Sequence, residues 1–198
     1  MIDLRSLTIR SFALALALGG PYAGAQSRQS AIKVTEEAVT YKTTAATLEA
    51  VKFGELSYSL DGETIALRKG SYSLQEEGSF GNASLDHTWP FDIQGGKARH
   101  ALVSLAYTFG GGSSQCQGFL FVFELRYGHP VAIQQFMYDA QVKGSGAKFD
   151  PATGKLTVTG RSNDGSPHCC PKNVDVVTYA WTPKGFVQTG RRVVPAPR

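Results

Sequence analysis

Three cysteines carry the most reactive side chains in this chain. Cys116 stands just before a long apolar run, and Cys169 and Cys170 are neighbours in "NDGSPHCCPKN". Adjacent cysteines bond each other only through a strained eight-membered ring. They also grip one metal ion poorly, because zinc ligands are ordinarily spaced Cys-x2-4-Cys. A zinc site from Cys116, His168, Cys169 and Cys170 is therefore disfavoured. In an oxidising compartment the simpler outcome is one disulfide from Cys116 to Cys169 or Cys170, with one thiol left over. Such a bridge ties the loop in the 110s to the loop in the 160s.

The other reactive residue types form no motif. His87, His100, His129 and His168 are isolated, without the His-Glu-x2-His spacing of a metalloprotease. No Gly-x-Ser-x-Gly elbow is present. "FGGGSSQC" has the glycines of a phosphate cradle but neither its spacing nor a helix after it. Glu76 and Glu77 read as solvated turn residues. No catalytic residue, metal ligand or cofactor is assigned, and a binding role is favoured over catalysis. The candidate binding loops are those with Ser113 and Ser114, with Ser145 and Gly146, and with His168.

The N-terminus carries an address. Arg5 and Arg10 give a short positive region, and Ser11 to Leu18 reads "SFALALAL". Gly19, Gly20 and Pro21 break the helix, and small residues lead to Ala25. This order predicts a secretory signal peptide over 1–25, with cleavage before Gln26. No cysteine adjoins that site and no arginines are paired, so the general export route without lipid anchoring is expected. No later apolar run approaches the roughly 18 residues of a membrane span. The expected location is periplasmic or secreted.

The whole chain has 20 basic and 16 acidic residues, net +4. The signal removes Arg5, Arg10 and Asp3, leaving +3. The basic residues are scattered apart from Arg191, Arg192 and Arg198, so nucleic acid is excluded as a partner. An unknown protein or small ligand of the cell envelope is expected instead.

The elements that must hold these residues are mostly strands. Gly and aromatic residues are abundant, at 22 of 198 and 11%, which favours strands and tight turns. Residues 26–52 are polar, Ala- and Thr-rich, and read as a mobile leader able to hold one helical stretch. From 53 to 190 the apolar period is two. Tyr58 and Leu60, then Ile65 and Leu67, flank Asp61-Gly62 as a hairpin. Val103, Leu105, Tyr107 and Phe109 share one face of a strand. Phe119, Phe121, Phe123, Leu125 and Tyr127 share a face of the next, with Leu120 and Val122 opposite, so this strand is predicted to be central and covered on both sides. "YGHP" turns into 131–138, where a bulge near Gln134-Gln135 reconciles two apolar phases. "KFDPATGKLTVTG" predicts a further hairpin, and 174–181 and 186–189 the last strands. The fold class is mainly β: an antiparallel meander forming a curved sheet or β-sandwich. Residues 191–198 read as a disordered basic tail.

The segment around "HCCP" resembles a diffuse group of secreted bacterial proteins that includes the LppP/LprE-type lipoproteins. The resemblance rests on Asp164, Cys169, Cys170 and Pro171, followed by Tyr179 and Trp181 on a strand, with Lys172 where that family usually has Ser. It extends weakly back over "RHALVSLAYTFGGGSSQCQGFLFVFEL". The resemblance implies an exported β protein and no particular activity. The carboxylate-rich calcium segment of that group is reduced here to Asp92 and glycines, and the lipobox cysteine is absent. "SGAKF" also resembles the Ser-Gly-x-x-Tyr loop of periplasmic lysozyme inhibitors, with Phe149 replacing Tyr. The expected function is a non-catalytic envelope binding or structural module. A lysozyme-type inhibitor and an envelope hydrolase are the alternatives.

Overall fold

A single period of two, running through most of the chain, dictates strands, and short turns between them dictate antiparallel pairing. The computed structural model describes residues 45–60, 62–76, 79–110, 115–165 and 171–197. A hairpin of β1 (Ser57–Leu60) and β2 (Glu63–Ala66) comes first. Five strands follow: β3 (Ser71–Glu76), β4 (Ser79–Phe91), β5 (His100–Gly110), β6 (Gln115–Arg126) and β7 (His129–Asp139). They lie in chain order in one sheet. A second sheet holds β8 (Gly146–Asp150), β9 (Lys155–Arg161), β10 (Asn173–Thr182) and β11 (Gly185–Pro195), also as a meander. Among the described residues the only helical turns are short 3-10 turns at Leu48–Ala50 and Phe53–Glu55. None is long and apolar enough to cross a membrane.

The five-stranded sheet is covered on both faces, which is why β5 and β6 are apolar at nearly every position. One face buries Ala101, Val103 and Leu105 with Phe119, Phe121 and Phe123 under the β1–β2 hairpin and the 3-10 turns. Tyr58 packs on Phe121 there, and Phe53 on Phe123. The other face buries Leu102, Leu120 and Val122 against Leu156, Val158 and Phe186 of the second sheet. The expected two-sided strand is β6.

Two bulges in the five-stranded sheet let strands change face. In β7 the register shifts between Val122 and Phe123 of its partner, leaving Ile133 unpaired between Ala132 and Gln134. The irregularity thus falls one residue before the expected Gln134-Gln135. In β4 the register shifts between Leu85 and His87, leaving Asp86 unpaired. Leu85 accordingly packs with the hairpin core, whereas Trp89 and Phe91 pack with the second sheet.

Two boundaries differ from the sequence reading. Leu48 and Val51, inside the expected leader, are buried core residues, because the 3-10 turn at Leu48–Ala50 caps the hairpin side of the sheet. Residues 191–195, expected as part of a disordered tail, continue β11 opposite Val177 to Asn173. The Arg191 guanidinium reaches the Asp175 carboxylate at 2.6 Å. Basic side chains on an edge strand are compatible with pairing on its inner side and discourage further pairing outside.

Candidate functional site

The site grows out of the β4 bulge. A bulge inserts one residue, bends the strand and re-aims the side chains after it. Here the inserted residue is Asp86, and His87, Trp89 and Phe91 follow on the face toward the second sheet. Asp86 Oδ2 lies 3.1 Å from His87 Nδ1 and accepts the Ser104 hydroxyl at 3.4 Å. Ser104 sits on β5 and is only 1% exposed. A hydroxyl buried so deeply needs a partner, and Asp86 supplies it, while Tyr138 on β7 is near enough for Ser104 to act on its phenol. Tyr138 reaches across β6 because its ring lies directly over Gly118, where any Cβ would collide with it. The result is a polar chain, Ser104–Asp86–His87, from β5 to β4, with the Tyr138 phenol of β7 at its inner end.

The chemistry of this chain follows from its order. Burial raises the Tyr138 pKa above its ordinary value. Ser104 opposes that rise, and Asp86 and Cys116 add to it. The phenol therefore stays protonated at neutral pH. With Asp86 at its Nδ1, the neutral His87 imidazole keeps its proton on that nitrogen and leaves Nε2 as an acceptor. Ser104 bonds the carboxylate and not the imidazole, so it stands on the wrong side of Asp86 to pass a proton to His87.

An aromatic row runs from this chain into the core. His87 stacks on Trp89 with centroids 5.0 Å apart and planes 7° from parallel. Trp89 meets the edge of Phe149 on β8, and Phe149 meets Phe91 at 4.9 Å. Phe91 touches Trp181 on β10, whose ring lies 4.6 Å from His100. Burial here lowers the His100 pKa below its ordinary 6.5. Glu124 and Asp92 pull it up, and Arg99 adds to the lowering. The row is buried at Phe91 and emerges at His87, whose side chain is 60% exposed.

A cavity of 230 Å³ lies at the other end of the polar chain. Cys116, Gln117, Met137, Tyr138 and Asp139 are among its walls. Cys116 is partly buried and forms no disulfide among the described residues. Gln117 Oε1 is buried without a hydrogen-bond partner among the described residues. Asp139 is held by Arg161 at 2.9 Å. Among the described residues no group of three His, Cys, Asp or Glu side chains is arranged to hold a metal ion.

The residues singled out from sequence fall elsewhere. Ser113, Ser114, His168, Cys169 and Cys170 lie outside the described residues. Ser145 immediately precedes β8 and Gly146 is its first residue. The Ser145 hydroxyl is buried without a partner among the described residues, and Phe149 packs inward on Phe91 and Phe186. The sequence reading missed Asp86, His87 and Trp89 because it assigned no strand over 79–91. The signal was present as "DHTWPF", an acid followed by aromatic rings at every second residue. No protein-family model, curated protein or solved structure matches the chain.

Proposed function

We propose that this chain is an exported envelope protein that binds a partner or ligand through the exposed end of its aromatic row, without doing chemistry on it. The observation that carries this reading is the order of the polar chain. Its only serine is buried and committed to Asp86, while the solvent-facing end is an imidazole stacked on Trp89. Rings held at fixed positions by a rigid sheet favour recognition, since little side-chain freedom is lost on binding. An inhibitor of the lysozyme type would need Ser145 and Gly146 to project, and Phe149 packs inward beside them. A hydrolase would need a nucleophile at His87 Nε2.

Export rests on the sequence of residues 1–25. N-terminal sequencing of the secreted protein is expected to begin at Gln26, and material beginning at Met1 would refute export by this signal. Binding is tested with immobilised mature protein in periplasmic extract, comparing wild type with His87→Ala. A component retained by the wild type and lost with the variant is expected. Identical retention by both would remove the aromatic row from the binding role. Ester, phosphoester or glycoside turnover that disappears in His87→Ala would overturn the non-catalytic reading.

A further inference from the structure

We propose that the Asp86–His87–Trp89 shelf on β4 is a saccharide-binding site, in which a sugar ring takes the next place in the aromatic stack. This inference rests on the binding reading above and names its ligand class. Each ring of the row from Phe91 outward has a neighbour on the inner side. His87 is the last, with Trp89 on one side and a side chain still 60% exposed. The strand is also open here. β3 pairs with β4 only as far as Ser84, and the last backbone hydrogen bond on that side is from Leu85 to Gly70. From Asp86 to Phe91 the edge of β4 has no neighbouring strand on that side among the described residues.

The polar groups on the shelf are acceptors. Asp86 Oδ2 is occupied by Ser104 and His87, and Oδ1 carries no hydrogen bond among the described residues. His87 offers Nε2 in its neutral form. A ligand suited to this shelf therefore presents a flat, weakly polar C–H face to an aromatic ring and adjacent O–H donors to two acceptors. That is the chemistry of a pyranose with vicinal hydroxyls. A quaternary ammonium would satisfy the aromatic face and the negative charge, but it has no donor for either acceptor. Ser104 positions Asp86 from beneath, so the carboxylate is set before a ligand arrives.

The test titrates mature protein with triacetylchitotriose, with maltotriose and with choline. Binding is read by tryptophan fluorescence in a Trp181→Phe background, which leaves Trp89 as the only tryptophan, and by NMR shifts of the His87 ring. At least one of the two oligosaccharides is expected to bind with a Kd on the order of 1 mM, as suits a single-ring contact. Asp86→Asn and His87→Ala should each weaken it roughly tenfold. Both side chains are largely exposed, so an unchanged melting temperature is expected to accompany the loss. Trp89→Phe, which keeps a ring, should retain part of the affinity. The proposal is overturned if neither sugar perturbs Trp89, if binding is indifferent to both variants, or if choline binds and the sugars do not. Should the sugars fail while an extract component is still lost with His87→Ala, the binding reading stands and only its ligand class falls.

Discussion

Gly118 owes its place to a neighbour and not to its backbone angles, since no Cβ fits beneath the Tyr138 ring. A ring laid over a strand glycine supplies the packing that the missing side chain cannot. Gly118→Ala must therefore push Tyr138 away from Ser104. The expected loss is about 1–3 kcal/mol in urea unfolding. In the Gly118→Ala/Tyr138→Ala double variant the two losses should be less than additive, because the collision is gone. Additive losses would show that the ring does not depend on this glycine. His100 gives a second test at this scale. Its pKa is lowered in the folded protein, so the fold prefers the neutral ring. The sign is that of a buried base: the unfolded chain takes up the proton first as the pH falls. The stabilisation is complete above about pH 6.5 and is lost progressively below it, down to the folded pKa. The groups acting on the ring are Glu124, Asp92 and Arg99, with Trp181 against its face. Denaturation midpoints of wild type and His100→Asn, compared between pH 5 and pH 8, should diverge in slope only below pH 6.5. Parallel curves would show an unperturbed imidazole.

Turns and bulges decide how the strands meet. The β6–β7 hairpin closes through Tyr127 and Gly128, both at positive φ, of 52° and 79°. This is the two-residue turn whose twist matches that of the flanking strands, and it favours Asn-Gly. Tyr127 is 99% exposed, so its ring contributes no packing to offset the strain. Tyr127→Asn should raise stability by about 0.5–1 kcal/mol, read as a higher melting temperature. A lower one would mean that Tyr127 makes a contact that its exposure hides. Sequence periodicity found β5, β6 and β10 because each keeps one face apolar at every second residue, Val103 to Phe109, Phe119 to Leu125 and Val177 to Trp181. It failed for β4, where Gly81, Asn82 and Pro90 disfavour a strand and Asp86 breaks the phase. The site was lost with the element, since a bulge hides the alternation that would reveal the strand carrying it. One trace was readable. Ser104 interrupts the face shared by Leu102 and Ala106, and a polar residue at a core position requires a partner. Which partner depends on the pairing of β4, β5 and β7, a long-range matter that local spacing does not contain.

At the scale of the whole molecule, the two sheets meet where β7 ends beside the end of β9. Asp139 at the end of β7 holds Arg161 at the end of β9. Beyond Arg161, the Ser162 amide bonds the Asn173 carbonyl, so the chain leaves β9 and enters β10 at one place. Cys116 lies at that same place, since its carbonyl accepts the Ala140 amide next to Asp139. The connection between Ser162 and Asn173 contains both Cys169 and Cys170. We therefore propose that export oxidises Cys116 to one of them, joining the β6 start in the first sheet to the β9–β10 connection of the second. Such a bridge closes a loop of roughly 50 residues and is worth about 4 kcal/mol on the chain-entropy model. Its loss should bear on the docking of the second sheet more than on the five-stranded sheet, whose hairpin-side core does not depend on it. Cys116→Ser is expected to lower the melting temperature and leave the far-ultraviolet β signature in place. Amide exchange should quicken at Asn173 and Val174 before it does at Phe121 or Phe123. Peptide mapping of the unreduced exported protein decides the pairing. A Cys116 peptide that migrates free of the Cys169–Cys170 peptide would sink the bridge, and a mass two hydrogens short on that latter peptide alone would establish the strained vicinal ring in its place.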